Sequence, residues 1–348
     1  MHCKCRARGQ KAFGPRAPFC KILLREVKIM KKLLVAAISA LLVVVLTVSM
    51  AACSKAQRVK VIDVMLTGEE YGYCVDQDNT TLMTAVNELI VQLCGNEPYN
   101  PEAPNTSAAG VEYDLNGDGT AETVTFHTLY EAMEGETVYN VKDAYTEIPS
   151  GKTREECLLV ATNAEFEPFE FMNGENFAGI DMHIAKMLAN KLGKTLVIRN
   201  MEFDVVITDV EQGNSDIGMA GLTINRGREE IVSFSEGYYT TSQYLAVLES
   251  DTTFDNCTTE AEVVAAINGL GKVTAGAATG QTGYFYITGS TDFEFAGFKD
   301  VTAKDYDTIA LAVQNLSDGK LKFVVGDRDT LESAVEAINA KVPAESAE

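Results

Sequence analysis

The chain has 348 residues, 46% of them apolar and 23% charged, and a formal charge of −21. That is the make-up of an ordinary globular protein, which excludes a fibre or a disordered chain, and the length has room for a leader and two lobes. Residues 1–52 hold ten Lys and Arg against one Glu, so −30 remains on the rest, a balance that argues against nucleic acid and anionic lipid as partners.

Residues 1–29, which include Cys3, Cys5 and Cys20, read as an extension upstream of the true start, and those cysteines lack the further ligands that zinc requires. Met30-Lys31-Lys32 followed by an apolar run from Leu33 to Ala52 has the form of a secretory signal over 30–52. Its Ala51-Ala52-Cys53 ending resembles a bacterial lipobox, with Met50 where leucine is usual. The resemblance implies a lipid on Cys53, a tether over 53–58 and an extracytoplasmic protein on the outer face of the cell membrane. A retained membrane helix is the alternative, since about 20 apolar residues span a bilayer. Beyond the signal, Cys74, Cys94, Cys157 and Cys257 are expected as free thiols.

Val59-Lys60-Val61-Ile62-Asp63 is extended in pattern, and Leu82, Val86, Leu89, Ile90 and Leu93 share one face of a helix. In the stretch 99–155, the segment Asp114 to Glu122 opens like a calcium loop, with Asp114, Asn116, Asp118 and Glu122 as candidate ligands. Position twelve is Thr125 and not a bidentate acid, so a turn in an inserted hairpin is the competing reading.

From Cys157 onward, short apolar runs alternate with amphipathic helices, the pattern of an α/β fold. Leu158 to Thr162 reads as a buried strand. Ile180, Ile184, Met187, Leu188 and Leu192 mark a helix stopped by Gly193, and Leu196 to Ile198 is the next strand. Asp216 to Leu222 reads as a third strand, and Tyr244 to Leu248 as a fourth that crosses between lobes. A second cycle follows: helix over 263–267, strand over 272–275, helix over 309–316, strand over 323–325, helix over 331–338.

Four motifs then stand in order: Ala161 to Phe171, Gly179-Ile180-Asp181, Ala220 to Arg228, and Phe234 to Tyr239. Together they resemble the signatures of polar amino-acid-binding proteins, the extracellular solute-binding proteins of family 3. The resemblance implies a periplasmic-binding-protein-like type II fold, two α/β lobes joined by a two-strand hinge. It also implies that an amino acid is captured between the lobes and delivered to the permease of an ABC importer. Arg228 corresponds to the family's carboxylate-binding arginine, whose planar fork grips two oxygens. Thr223 and the backbone of Ala220 and Gly221 flank that carboxylate, Asp327 meets the ammonium group, Phe166 and Phe203 form aromatic walls, and Thr282 adds a contact from the second lobe. Asn163 stands where many relatives have aspartate, which makes arginine, lysine and histidine less favoured as ligands.

The family's order continues past Asp327 with another strand, a return crossing and closing helices. Here those pieces resemble residues 59–98: a lobe-two strand over 59–66, then the crossing Glu70-Tyr71-Gly72-Tyr73 and helices of lobe one over 67–98. The expected arrangement is a circular permutation, with 99–155 as the new joint, lobe one over 156–248, lobe two over 249–342, a tail over 343–348, and the hinge near 67–73 and 248–251. No cofactor is expected, and no ATP-binding Gly-x-x-x-x-Gly-Lys-Ser/Thr loop occurs, so transport energy must come from a partner. The alternatives are a dehydratase-like enzyme on this fold, with Glu165 and Glu170 as the nearby acids, and a ligand-sensing binding protein.

Overall fold

A computed structural model describes residues 56–342, except 134 and 136. The signal, Cys53 and the tail over 343–348 therefore lie outside the described residues. Among those described, no helix is long and apolar enough to cross a membrane.

The first lobe is built on Cys157–Thr162, whose six residues are all buried because the strand is covered on both faces. It pairs in parallel with Thr195–Asn200 on one side and Ile217–Gly218 on the other, and Ala144–Tyr145 extends the Thr195 edge. Cys74–Val75 runs antiparallel beside Ile217–Gly218 and carries Ser233–Phe234. The helix Ile180–Leu192 has the bounds that its periodicity predicts. Gly179 opens it at φ 109°, and a Cβ there would stand 2.3 Å from the carbonyl oxygen of Phe169.

The second lobe is a five-stranded sheet in the order Val59–Ile62, Gln243–Leu248, Phe323–Asp327, Val273–Ala278, Val301–Tyr306. Glu260–Gly269, opened by a Thr259/Glu262 capping box, Ile309–Ser317 and Arg328–Asn339 are its longer helices. Two strands link the lobes, Glu69–Tyr71 and Tyr239–Thr241, antiparallel to each other with Tyr71 opposite Tyr239.

Several expectations need correction. Tyr244 to Leu248 does not cross: it pairs with Val59–Ile62 and with Phe323–Asp327 inside the second lobe, so the boundary falls near 242 and the second crossing lies at 239–241, not 248–251. The expected strand over 216–222 stops at Gly218, because Gly221 turns at φ 54° and sends the chain into a loop. Of the two acids near the first motif, Glu170 is fully buried and Glu165 is exposed. The stretch 99–155 is more than a joint. It forms a hairpin, Val111–Tyr113 with Glu122–Val124, and the helix Phe126–Met133, and it lends Tyr99, Tyr113, Phe126 and Leu129 to the first lobe's core. In its calcium-like loop Asp114 accepts from the Gly119 amide, Asn116 from Asp118 and Asp118 from Thr120, while Glu122 belongs to the hairpin. No group of three or more His, Cys, Asp or Glu is placed to hold a metal among the described residues. The four cysteines are free, and Cys257 is only half-buried.

Candidate functional site

Parallel strands end in loops on one side of each sheet, and in open α/β folds ligands bind at those carboxyl ends. Here the ends of both sheets face each other. Cys157–Thr162 leads to Phe166, Ile217–Gly218 to the loop of Gly221 and Thr223, Val273–Ala278 to Gln281 and Thr282, and Phe323–Asp327 ends on Asp327 itself. The Asn225 side chain caps a four-residue helix by accepting from the Arg228 amide at 3.0 Å, which sets Arg228 above the loop.

One pocket is lined by Phe166, Phe203, Gly221, Thr223, Arg228, Gln281, Thr282 and Asp327. Seven of the nine residues expected from sequence thus come together from segments up to 161 positions apart. Asn163 and Ala220 do not line it. Both are buried, and the Asn163 amide donates to the Met201 carbonyl at 3.0 Å. The enclosed space is only about 10 Å³, since the lobes meet across it. Thr223 Oγ1 lies 3.1 Å from Thr282 Oγ1, and Arg228 donates to the Thr223 carbonyl at 2.7 Å and to the Gly280 carbonyl at 3.3 Å.

The Arg228 guanidinium packs near the Phe203 ring, 5.5 Å from its centroid, and makes no ion pair within 4 Å among the described residues. Enclosure by protein lowers its pKa to about 10, with Glu69 and Asp327 pulling the other way, so it is a cation at neutral pH. Gly221 leaves room where a Cβ would come within 2.7 Å of Phe166, and its amide donates to Asp181 at 3.2 Å. Asp181 also accepts from the hydroxyls of Tyr73 and Tyr238, and burial lifts its pKa to about 6. Beside it, burial and then the Asp181 charge hold Glu170 well above the carboxylate range.

Sequence reasoning missed an acid. Glu69, on the first crossing strand, is buried and accepts from the hydroxyls of Thr67 at 2.6 Å and Thr223 at 2.9 Å. Asp327 accepts from the Tyr71 hydroxyl on the same strand. Burial, then the charge of Glu69, raise the Asp327 pKa to about 7, against the Tyr71 and Gln243 side chains. Glu69 stands 154 positions from Thr223, so no local spacing could have announced it. Gln281 precedes the expected Thr282, and its place at the head of Thr282–Thr288 is what brings it to the pocket.

The chain is 34% identical over 96 residues to the arginine-binding extracellular protein ArtP of Bacillus subtilis, covering 28% of this chain and 36% of that protein. It is 34% identical over 82 residues to a cyclohexadienyl dehydratase of Pseudomonas aeruginosa, covering 23% of this chain and 31% of the other. A solved structure of an ancestral arginine-binding protein bound to arginine aligns at a TM-score of 0.45 and 26% identity, over 54% of this chain and 76% of that one. The chain spans less than two-thirds of the length of the first curated relatives it matches. The model of the bacterial extracellular solute-binding proteins, family 3, matches residues 158–343, more than half of the chain, and the chain belongs to that family.

Proposed function

We propose that this protein captures an amino acid between its lobes and hands it to the permease of an ABC importer. The observation that carries the reading is a single pocket holding an arginine without a carboxylate partner on one lobe and an aspartate on the other. A zwitterion answers both: Arg228 takes the carboxylate, with Thr223 and the Gly221 backbone beside it, and Asp327 takes the ammonium. Phe166 and Phe203 flank the side chain, and Thr282 adds the contact from lobe two. Admission of a ligand must part Thr223 from Thr282, so capture is an opening and reclosing about the strands at 69–71 and 239–241.

The charge balance favours a cationic ligand. Two buried acids, Glu69 and Asp327, stand near one half-buried base, Arg228, and a second positive charge on the ligand neutralises the pocket. Glu69 takes over the role that Asn163 cannot fill, and a relative named as arginine-binding accords with this reading. An enzymatic reading gains no support from the nearby acids, since Glu170 is buried beside Asp181 and Glu165 is exposed.

In this reading Cys53 carries the lipid that keeps the protein at the outer face of the membrane. Residues 59–98 are the family's closing segments in permuted order, which the start of the family match at residue 158 supports, together with the way 59–62 edges the second sheet, 69–71 crosses and 74–75 enters the first.

Thermal shift of the full chain in detergent tests the ligand class. Arginine or lysine is expected to raise Tm at concentrations where glutamine and glutamate do not, since a ligand at about 1,000 times its Kd stabilises by about 4 kcal/mol. A shift with glutamate alone contradicts the charge argument.

A further inference from the structure

Gln243 is the first residue of lobe two after the second crossing, and it does not line the pocket. Its side chain is fully buried, and neither amide atom meets a hydrogen-bond partner among the described residues. Such groups are rare in folded proteins and call for an explanation. Gln243 lies directly opposite Asp327 in the antiparallel register of the two central strands. Its Oε1 also occupies the space over Gly283, where a Cβ would stand 2.9 Å from that oxygen and 2.6 Å from the Val325 carbonyl. Gly283 follows Thr282 in the helix Thr282–Thr288, so the amide lies against the head of that helix and, by strand register, beside Asp327. The Gln243 backbone is tied to the other crossing segment, its amide donating to Thr67 Oγ1 at 2.8 Å and its carbonyl accepting from Leu66 at 3.0 Å.

We propose that Gln243 is a positioning residue of the ligand site, whose carboxamide, unpaired here, turns to the Asp327 carboxyl when a ligand is bound and keeps it in one fixed relation to the head of the Thr282 helix. This rests on the amino-acid reading above. Tyr71 already holds Oδ1 of Asp327, and Glu69 and Tyr71 from the first crossing, Arg228 from lobe one and Gln243 from lobe two are the charged and polar groups that face the carboxyl. Of these, Tyr71 hydrogen-bonds the carboxyl here and favours the ionised form that an ammonium group needs, and Gln243 alone also lies over the Thr282 helix.

The test is calorimetric titration of the full chain in detergent with the twenty amino acids between pH 5 and 9, comparing wild type with Gln243→Met, an apolar replacement of similar shape. The expected result is binding weakened about tenfold, the loss of one hydrogen bond to a charged group, with the acid limb of the affinity profile moved to higher pH. Affinity and profile both unchanged overturn the proposal, as does weakening with no displacement of the acid limb, which a merely structural role produces. Should Gln243→Met not fold, the side-chain amide signals of Gln243 in the wild type are expected to shift in NMR spectra on adding L-arginine. If they stay fixed while the backbone signals of Thr223 move, Gln243 plays no part. A folded wild type that binds none of the twenty fails the amino-acid reading itself, and this one with it.

Discussion

Asp327, in the candidate site, also bears on the stability of the fold. Its pKa in the fold is about 7, raised from an ordinary 3.8 by burial and by Glu69. A raised acid favours the protonated fold, so this group's contribution to stability is fullest below about pH 4 and is lost as pH climbs towards 7. Asp327→Asn is therefore expected to stabilise the ligand-free protein at pH 8 by on the order of 2 kcal/mol while abolishing amino-acid binding. Denaturant unfolding at pH 5 and pH 8 checks this, and a variant less stable than wild type at pH 8 contradicts it. The place of Thr223 and Arg228 at the pocket was legible because both sit in one short motif, and that of Asp327 because it follows the apolar strand read over 323–325. Glu69 and Gln243 were not, since their relation to the site arises only when distant strands pair.

At the scale of elements, the Ile180–Leu192 helix was legible down to its ends because four-residue apolar spacing and flanking glycines are local signals. Its start depends on Gly179, where both the positive φ and the Phe169 carbonyl forbid a side chain. Gly179→Ala is expected to cost about 3 kcal/mol or more, measured by urea unfolding, and a loss under about 1 kcal/mol, the ordinary value for a tolerated surface change, contradicts this account of the helix start. The Thr282–Thr288 helix was not anticipated. Its Tyr-Phe-Tyr-Ile-Thr run is made of residues with weak helix propensity, and it forms because Thr282, Gly283, Tyr286 and Ile287 are buried against the second sheet. The strand expected over 216–222 failed for the converse reason: an apolar run reads as extended, yet a left-handed glycine ends it to build the pocket floor.

For the whole molecule, two lobes with facing strand ends were legible from the alternation of strand and helix after Cys157. The lobe boundary was not, because a strand that leaves one sheet and joins another looks the same in sequence wherever it crosses. Nor was the part played by 99–155, whose polar loops conceal Phe126 and Leu129, both fully buried in the first core. Residues 59–98 are woven through both lobes, with Val59, Tyr71, Tyr73 and Leu89 nearly inaccessible to solvent. Deleting 56–98 is expected to leave a chain without a cooperative melting transition, as permutation requires. A cooperative transition close to the wild-type Tm contradicts it and marks the segment as dispensable.

The central claim is that Arg228 and Asp327 grip one amino acid across the closed cleft. It is tested most directly by titrating the full chain, wild type and Arg228→Ala, with each of the twenty amino acids in a calorimeter. The account predicts one-to-one binding of at least one of them at micromolar affinity or tighter, weakened by about 100-fold or more in the variant, as removal of a buried charge-assisted contact entails. A folded wild type that binds none of them, or equal affinity in the two proteins, contradicts it.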